Sequence, residues 1–313
     1  MQYLVTGGAG FIGSHIVRTL LEGGAKVRVL DNFSTGKREN LAGLVEQYSG
    51  GRFEVHEGDL RDRAFVENMI RNVDIVFHEA AFVSVPESME KSQDCFDVNV
   101  AATIGLFEAA RKAEVRRVVV ASSAAVYGES DALPLQETTP TQSLSPYAAS
   151  KRTDEIYAQL YTQALGLDVV ALRYFNVYGP RQRPDSMYAA AVPIFVCRLL
   201  DGKPVTVFGD GGQTRDLINV HDVVRANLVA SEHPDAPGQV LNVCTGIETR
   251  LLDLLEVLYD LFPNVPEPVF TEPRPGDIYR SVGSPEFTAR TIDFRAEVTL
   301  EDGLKETVVW MQA

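Results

Sequence analysis

The stretch of sequence that decides the fold is the amino-terminal one, residues 1–22, which read MQYLVTGGAGFIGSHIVRTLLE. An apolar run from Gln2 to Thr6 leads into a glycine-rich turn, and apolar residues then recur at three- and four-residue spacing. This order predicts a strand, a tight turn and a helix. The turn satisfies both G-x-G-x-x-G and G-x-x-G-x-x-G through its glycines, Gly7, Gly8, Gly10 and Gly13.

A turn of this composition suits the pyrophosphate of a dinucleotide. Glycine permits the tight turn and a close approach of the backbone, and the helix that follows offers N–H donors and a positive dipole end. A glycine-rich turn without a ligand is the alternative interpretation. A strand before the turn, a helix after it and an acidic residue downstream argue against that alternative.

The downstream acid is Asp31, which ends the second predicted strand 18 residues beyond Gly13. A carboxylate there accepts hydrogen bonds from ribose hydroxyls and repels a 2′-phosphate, so the sequence predicts NAD rather than NADP. Lys37 and Arg38 lie close enough in sequence to tolerate a phosphate. Asp59, after the third predicted strand, is a candidate partner of the adenine or a cap of the helix that follows.

Beyond this start, strands and helices are predicted to alternate as far as about residue 175. The short apolar, β-branched runs are Lys26 to Leu30, Arg52 to His56, Asp74 to His78, Arg117 to Ala121 and Asp168 to Arg173. Helical spacing is found in Gly13 to Glu22, Arg38 to Tyr48, Arg61 to Arg71, Gln93 to Lys112 and Tyr147 to Leu165. Repeated β-α units with apolar strands predict an α/β fold with a doubly wound parallel sheet of the Rossmann type.

After residue 175 the alternation loosens, and Pro, Gly and Arg gather in loops such as residues 179–184 and 272–277. We expect residues 1–175 to form the NAD-binding domain, with a return of the chain to it within about 216–245. Residues 176–215 and 246–313 are expected to form a smaller α/β substrate-binding region. Ligands usually lie in the cleft between such units.

Composition restricts the partners. The 313 residues carry 29 Lys and Arg against 43 Asp and Glu, a formal net charge of −14, and the longest basic clusters are pairs. Because nucleic acids and anionic membranes are bound through clustered positive charge, neither is expected as a partner. Any anion must be held locally.

The cysteines and the hydropathy pattern bear on the cellular environment. Cys95, Cys197 and Cys244 are far apart and show no C-x-x-C spacing, so we interpret them as buried thiols in a reducing compartment, and no metal site is expected. The amino terminus does not resemble a signal peptide, and no apolar run approaches the roughly 20 residues that span a bilayer. The expectation is a cytoplasmic protein without a membrane partner.

A candidate catalytic pair lies in Tyr147-Ala148-Ala149-Ser150-Lys151, where the spacing puts Tyr147 and Lys151 on one helix face. An ammonium close to a phenol lowers the pKa of the phenol, which makes Tyr147 a candidate general acid/base. The strand before it ends in Ser122-Ser123, at the sheet edge where a nicotinamide would lie. A serine hydroxyl there can stabilise charge on a reacting oxygen.

These residues, in this order, resemble the short-chain dehydrogenase/reductase superfamily, and within it the extended branch that modifies nucleotide sugars. The resemblance covers essentially the whole chain. It rests on the motifs at Thr6 to His15, Leu30 to Asn32, His78 to Ala81, Ser122 to Gly128, Tyr147 to Lys151 and Arg173 to Gln182.

The resemblance implies a catalytic triad of Ser123, Tyr147 and Lys151. It also implies that the cofactor is NAD, bound by Gly7, Gly10, Phe11, Ile12, Gly13, Asp31, Asn32, Ser34, Thr35, Gly36, Asp59, Leu60, Ala80, Ala81, Asn99, Tyr147, Lys151 and Phe175. The substrate would be a UDP-sugar, bound by Ser84, Ser123, Tyr147, Asn176, Ala190, Val192, Thr206, Phe208, Arg215, Arg274, Asp277 and Ser281. In this reading Arg215 and Arg274 hold the diphosphate through guanidinium forks, and Phe208 meets the uracil. An arginine in a Pro-rich loop is otherwise an ordinary surface residue.

The branch contains several reactions that share a first oxidation at the sugar C4. Its 4,6-dehydratases carry Thr-Asp-Glu in the catalytic loop and its decarboxylases keep a Glu there, whereas this chain has Ala124 and Ala125. Without that carboxylate, the keto sugar can only be reduced again. The resemblance therefore implies 4-epimerisation of a UDP-hexose, with NAD regenerated in each turnover.

Substrate range and alternatives follow from the same comparison. In the UDP-glucose 4-epimerases of this branch, the residue seven beyond the second diphosphate arginine gates the sugar 2-substituent, and here it is the small Ser281. The stretch Ser84-Val85-Pro86-Glu87-Ser88 resembles that of epimerases for UDP-N-acetylhexosamines, with Glu87 in place of an Arg. We therefore expect both UDP-Glc/UDP-Gal and UDP-GlcNAc/UDP-GalNAc to be accepted. The alternatives are a UDP-glucuronate 4-epimerase, for which only Arg183 and Ser186 suggest a carboxylate pocket, and a non-catalytic NAD-binding regulator.

The two long predicted helices, Gln93 to Lys112 and Tyr147 to Leu165, carry apolar faces. In relatives these helices pair across a two-fold axis, so a homodimer is expected; otherwise the faces only cover the sheet. The stretch Gly283 to Phe287 departs from the family pattern, which leaves its local geometry open.

Overall fold

The structure is a computed structural model that describes residues 1–48, 50–184, 190–273 and 278–312. Its strands are β1 (Gln2–Thr6), β2 (Lys26–Asp31), β3 (Phe53–Glu57), β4 (Ile75–His78), β5 (Arg117–Ser123), β6 (Val169–Tyr174), β7 (Asn176–Tyr178), β8 (Thr206–Phe208), β9 (Thr214–Arg215), β10 (Leu217–Asn219), β11 (Val240–Val243), β12 (Thr249–Arg250) and β13 (Val269–Thr271). Its α-helices are α1 (Phe11–Glu22), α2 (Glu39–Tyr48), α3 (Arg63–Met69), α4 (Val85–Glu90), α5 (Ser92–Phe96), α6 (Ala102–Lys112), α7 (Pro146–Leu160), α8 (Ala191–Leu200), α9 (Val220–Glu232), α10 (Leu251–Leu261), α11 (Glu286–Ile292) and α12 (Leu300–Gln312).

Seven strands form one sheet in the order β11-β6-β5-β4-β1-β2-β3. All of its strand pairs are parallel, so every strand ends at the same edge. The strand order reverses between β1 and β4, where ligands bind in doubly wound sheets. The predicted α/β fold with a doubly wound parallel sheet is confirmed.

Side chains of the strands alternate between two apolar layers. Val5, Val29 and Phe77 point to the layer formed with α1, α2, α9 and α11. Leu4, Leu30 and Val76 point to the layer formed with α3, α6 and α7. Because both faces are covered, the strands read as continuous apolar runs in the sequence.

The two long predicted helices are present, each with a π-helical turn. α5 continues through the π-turn Asp97–Ala101 into α6, and α7 continues through Tyr161–Leu165. α7 begins where Ser145 accepts a hydrogen bond from the Ala148 N–H at 3.1 Å, with Pro146 as first helical residue. The local sequence encodes this start. The serine side chain accepts a hydrogen bond from one of the N–H groups that a helix start leaves unpaired, and proline has no N–H group to leave unpaired. Helix α4 was not predicted.

The remaining elements build a smaller unit beside the carboxyl edge of the sheet. Its three two-stranded sheets pair β7 with β10 and β8 with β13 in parallel and β9 with β12 antiparallel. Its core is formed by α8, α10 and α12, with Phe195, Leu258 and Leu304 among the buried side chains. Between these parts the chain returns to the large sheet through α9 and β11. The division into domains stays a prediction.

Two further expectations concern the cysteines and membrane-spanning helices. Cys95 and Cys244 are buried, whereas Cys197 is only half-buried, and none of the three is in a disulfide. Among the described residues, no helix combines the length and the apolar character that crossing a membrane requires.

Candidate active site

The glycine turn between β1 and α1 is packed against the backbone of neighbouring segments. Gly7 has φ +67°, and a Cβ there would lie 2.6 Å from the Ala80 nitrogen, just beyond β4. A Cβ on Gly13 would lie 2.3 Å from the Gly7 carbonyl oxygen. Both distances are too short for a side chain, so the turn needs glycine for its own packing as well as for a ligand.

The start of α1 fits an anion. Gly10 is the N-cap, it has extended backbone, and no side chain caps the helix. Among the described residues, no side chain caps the first N–H groups of the helix, and this is the arrangement that binds a pyrophosphate. The predicted residues Phe11, Ile12 and Gly13 form this first turn. The residues present thus fit the dinucleotide that the fingerprint indicates.

Asp31 lies at the end of β2 beneath this turn. Its Oδ2 accepts the Ala9 N–H at 2.9 Å and its Oδ1 accepts the Phe33 N–H at 2.8 Å. A Cβ on Gly36 would come within 2.9 Å of these oxygens, so the loop after β2 folds closely over the carboxylate. Burial raises the pKa of Asp31, and the two backbone hydrogen bonds oppose that rise. Each carboxylate oxygen keeps a second lone pair for a ribose hydroxyl.

Asn32, Ser34 and Asp59 form one connected polar group at the sheet edge. Asn32 accepts hydrogen bonds from the Ser34 N–H at 3.0 Å and hydroxyl at 2.7 Å, and its amide donates to Asp59 at 3.2 Å. Arg61 also pairs with Asp59, at 2.8 Å, and its guanidinium holds the pKa of that carboxyl well below its usual range. The alternative that Asp59 caps the next helix is wrong. Asp62 caps α3 instead, by accepting the Phe65 N–H at 3.1 Å.

The other predicted cofactor residues border the same edge. The Thr35 carbonyl accepts a hydrogen bond from Arg183 at 3.0 Å, which ties the loop after β2 to the loop after β7. Leu60 is buried, while Ala80 and Ala81 follow β4 and are partly exposed. Asn99 is fully buried in the π-turn after α5, where its amide donates to the Phe82 carbonyl at 3.0 Å and to the Ser150 hydroxyl at 2.9 Å. It therefore joins the segment after β4 to α7.

The predicted triad comes from two adjacent elements. Ser123 is the last residue of β5, and its hydroxyl accepts the Ala125 N–H at 3.2 Å. Tyr147 lies in the first turn of α7 and is partly exposed, whereas Lys151, one turn later, is 3% exposed. The Lys151 ammonium donates to the Ala121 carbonyl at 2.9 Å. This bond ties the helix that carries Tyr147 to the strand that carries Ser123.

A buried ion pair fixes α7 to the sheet behind the triad. Arg173 of β6 donates to both oxygens of Glu155, at 2.7 and 2.8 Å, and Ser122 donates to the same carboxylate at 2.6 Å. Arg173 also donates to the Tyr127 hydroxyl at 2.8 Å. Sequence reasoning missed Glu155, whose signal was its position four residues after Lys151 on the buried face of the helix.

The smaller unit holds a cavity of about 310 Å³ that brings together six of the predicted substrate residues. These are Asn176, Ala190, Val192, Thr206, Phe208 and Arg215. Its lining also includes Arg198, Gln213 and Arg250, which the sequence analysis did not single out. Gln213 stands two residues before Arg215 in the same stretch, and its amide donates to the Phe208 carbonyl at 2.8 Å. The size and mixed lining suit a nucleotide-sized ligand.

The other predicted residues that the structure describes lie outside this cavity. Ser84 caps α4 by accepting the Glu87 N–H at 3.2 Å. Phe175 is 5% exposed and packs against Tyr127, with ring centroids 6.3 Å apart. Ser281 is half-buried in the segment that leads to Gly283. Arg274 and Asp277 lie outside the described residues, so their place in the site stays a prediction.

The segment that departs from the family pattern has a defined anchor. The Gly283 N–H donates to the buried carboxylate of Asp216 at 3.2 Å, and Asp216 also accepts the N–H groups of Thr245 and Gly246. A Cβ on Gly283 would lie 2.6 Å from the Phe175 ring, so this glycine packs directly against that side chain. The segment that carries Ser281 is thereby held next to the end of β6.

A comparison with known proteins agrees with this geometry. The model of the NAD dependent epimerase/dehydratase family matches residues 3–244. The chain belongs to this family. A putative UDP-glucose 4-epimerase of Methanocaldococcus jannaschii is 38% identical over 99% of this chain and 98% of its own length. A dTDP-glucose 4,6-dehydratase of Actinoplanes is 36% identical over 100% of this chain and 98% of its own length.

Solved structures of the family agree with the fold. The UDP-glucose 4-epimerase of Thermotoga maritima, in complex with UDP-glucose, is 37% identical with a TM-score of 0.93 over 100% of this chain and 99% of its own. The UDP-N-acetylglucosamine 4-epimerase of Methanobrevibacter ruminantium is 38% identical with a TM-score of 0.93 over 99% and 98%. The protein is therefore an NAD-dependent enzyme of the epimerase/dehydratase family, as the motifs indicated.

Proposed function

We propose that the protein catalyses the NAD-dependent 4-epimerisation of a UDP-hexose through a transient 4-keto sugar. The observation that carries this proposal is the composition of the turn after β5, where Ala124 and Ala125 directly follow Ser123. Both alanines are partly exposed, and at these two positions the turn carries methyl groups and no carboxylate. A dehydratase needs an acid there to remove water, and this turn holds none.

Within this proposal the chain's own residues handle the proton. Tyr147 takes the proton of the sugar 4-hydroxyl, because the Lys151 ammonium on the same helix face favours the phenolate. Ser123 donates a hydrogen bond to the oxygen as it becomes a carbonyl. NAD, when bound at the glycine turn, supplies a reversible acceptor for the C4 hydride. Tyr147 then returns its proton to the sugar oxygen.

Epimerisation requires the sugar to present its other face while the nucleotide stays bound. The cavity of the smaller unit supports binding of the nucleotide away from the reacting sugar. Arg215 and Phe208 line this cavity, and its lining residues include no member of the triad. Arg215 and Arg274 would hold the diphosphate, and Phe208 the base. The flexible bonds between diphosphate and sugar then allow the ring to rotate.

We propose that both UDP-Glc/UDP-Gal and UDP-GlcNAc/UDP-GalNAc are substrates. The residue that the resemblance places at the gate for the sugar 2-substituent is the small Ser281, two residues before the anchored Gly283. A uronic acid substrate is less well supported, because the Arg183 guanidinium donates to the Thr35 carbonyl in the cofactor loop. Ser186, the other residue considered for a carboxylate, lies outside the described residues.

We further propose a homodimer that pairs α5, α6 and α7 with their copies. Large apolar side chains of the segment from α4 to α7 are exposed to solvent, among them Met89 at 63%, Phe96 at 51%, Ile156 at 51% and Leu160 at 44%. Several large exposed apolar side chains on neighbouring helices are typical of an interface. A monomer in light scattering at micromolar concentration would contradict this part of the proposal.

The test of the function is a substrate panel with the purified protein and with Tyr147→Phe. Mass spectrometry of released ligands should find NAD in both proteins. The wild type should interconvert the UDP-hexose pairs, and the variant should lose about 10²–10⁴-fold in kcat with NAD retained, because it lacks the acid/base. Loss of water from the product would instead indicate a dehydratase. A wild type that is inactive on every nucleotide sugar would support a non-catalytic NAD-binding protein.

A further inference from the structure

An exposed arginine is held on the loop that folds over Asp31. The guanidinium carbon of Arg38 lies 3.9 Å from the centroid of the Phe33 ring, and its Nη2 lies 2.5 Å from Oε2 of Glu57. Glu57 is the last residue of β3. The guanidinium is thereby held by an aromatic ring and by a carboxylate.

The same loop ties Arg38 to the surroundings of Asp31. The Phe33 N–H donates to Asp31 Oδ1 at 2.8 Å, and a Cβ on Gly36 would lie 2.9 Å from both oxygens of that carboxylate. Phe33 has φ +55°, a left-handed conformation that is uncommon for a bulky residue. The residue whose ring carries the Arg38 guanidinium is therefore the residue whose N–H is bonded to Asp31.

The end of the second strand is where dinucleotide-binding folds distinguish NAD from NADP. An acid there accepts hydrogen bonds from the adenosine ribose and repels a 2′-phosphate, whereas a nearby arginine accommodates that phosphate. This chain has both groups, because Arg38 follows Asp31 by seven residues. What the arginine can do therefore depends on the group with which it is paired.

The pair of Arg38 and Glu57 adds little to stability. Both side chains are 61% exposed, and ion pairs with that exposure contribute little to the free energy of unfolding. Arg61 at the same sheet edge is paired with a different acid, Asp59, at 2.8 Å. Among the described residues, Glu57 is the carboxylate that pairs with Arg38, and the consequence of this pair is the position of the guanidinium.

We propose that Glu57 is a cofactor-specificity residue, which holds Arg38 on the Phe33 ring and offsets its charge so that Arg38 does not bind the 2′-phosphate of NADP. Asp31 and Glu57 then disfavour NADP in two ways. Asp31 repels the phosphate directly, and Glu57 occupies the cation that would attract it. NAD has a hydroxyl in place of this phosphate, so the pairing does not weaken its binding. The proposal concerns the cofactor and holds for whichever sugar is the substrate.

The experiment is a thermodynamic cycle on the full-length protein. It compares the wild type, Glu57→Gln, Arg38→Gln and the variant with both substitutions. Each protein, purified with its NAD, is incubated at low ionic strength with equal concentrations of NAD and NADP in excess. Exchange of bound NAD for isotopically labelled NAD, measured in parallel, sets the incubation time. Mass spectrometry of the released dinucleotides gives the ratio of bound NADP to bound NAD, and this readout needs no turnover.

The matched control is Glu54→Gln. Glu54 lies on β3 like Glu57, is exposed, and pairs with Arg28 at 2.9 Å. Its substitution removes the same charge from the same strand without releasing Arg38. Thermal midpoints of all variants should match that of the wild type, because exposed ion pairs stabilise the fold little.

In Glu57→Gln the ratio of bound NADP to bound NAD should rise about 3–10-fold, because the released guanidinium attracts the phosphate. In the Arg38→Gln background the same substitution should change the ratio about twofold or less, because only direct repulsion by Glu57 is then lost. Glu54→Gln should match the wild type. The rise in Glu57→Gln should shrink when the ionic strength is raised to about 0.5 M, since exposed charges are screened by salt.

An unchanged ratio in Glu57→Gln would overturn the proposal. An equal rise with and without Arg38 would also overturn it, because Glu57 would then act by direct repulsion alone. An equal rise in Glu54→Gln would show a general effect of net charge and would contradict the specific role of Glu57.

Discussion

The two ligand-binding parts of the molecule are built on different kinds of scaffold. The residues proposed to hold NAD and move the proton follow strands of four to seven residues that lie inside one parallel sheet. The residues that line the cavity of the smaller unit stand on β8 and β9, which have three and two residues, and on the helices beside them. One part is therefore fixed by a shared sheet, and the other by local contacts.

The difference indicates where change is tolerated. At the sheet edge, the turn of Gly7 and Gly13 meets backbone atoms at distances that admit no side chain. In the smaller unit, the segment with Ser281 is anchored through Gly283 and Asp216, but Ser281 itself is only half-buried. The closely packed sheet edge therefore suits the chemical step, which is the same for every sugar. The smaller unit, where changes are tolerated, suits the selection between sugars.

The largest expected effect would come from filling the glycine turn. Gly13→Ala places a Cβ 2.3 Å from the Gly7 carbonyl, so we expect a loss of about 2–3 kcal/mol in the free energy of unfolding. Bound NAD should be lost as well. The matched control is Gly105→Ala in α6, where nothing lies within 4 Å of the new Cβ. That variant should gain about 0.5–1 kcal/mol, because alanine favours a helix. Denaturant unfolding and NAD content would measure both, and a Gly13→Ala protein with normal NAD would contradict the packing argument.

A change at Ser281 should affect the choice of sugar without affecting the chemistry. Ser281→Tyr should lower kcat/KM for UDP-GlcNAc about 10–100-fold, because the ring fills the space for the N-acetyl group. For UDP-Glc the value should stay close to that of the wild type. Ser281→Ala removes the hydroxyl without adding bulk and should keep both activities. Steady-state kinetics on the two substrate pairs decide this, and equal losses on both would show that Ser281 is not a gate.

The smallest effect concerns the contact that joins the two parts. The buried ring of His15 on α1 lies 2.9 Å from the Pro180 carbonyl in the loop after β7, through Nε2. Burial lowers the pKa of His15 to about 3, whereas the unfolded chain takes up this proton near the ordinary pKa of about 6.5. Stability that His15 contributes is therefore present above pH ~6.5 and is lost as the pH falls below it, by up to about 1.4 kcal/mol per pH unit.

His15→Gln keeps an N–H donor for the Pro180 carbonyl but does not titrate. Its thermal midpoint should fall less steeply than that of the wild type between pH 6.5 and 5.5. Other buried groups, such as His78, titrate equally in both proteins and cancel in the comparison. Parallel curves for the two proteins would show that His15 is not the group responsible.

The sequence predicted the elements of the large sheet more completely than those of the smaller unit. The bounds of β1 to β6 agree with the predicted runs to within two residues, because apolar periodicity and turn residues are local signals. The sequence did not predict helix α4, because it has only six residues and its cap, Ser84, was interpreted as part of a substrate-binding motif. A helix cap, one of the two roles considered for Asp59, is wrong. The helix begins at Arg63, so the nearby Asp62 caps it instead.

The sequence by itself determined the family and the NAD cofactor and predicted the candidate triad, because each is encoded by residue types at short, fixed spacing. Only the tertiary structure joined Asn176, Phe208 and Arg215 in one cavity, since these residues are distant along the chain and meet through packing. It alone paired Arg173 with Glu155. It also placed Asp154 at 3.7 Å from the Lys151 ammonium, without a hydrogen-bond partner among the described residues. Burial and contact are properties of the folded chain, and they decide which of two neighbouring acids is satisfied and which one faces Lys151.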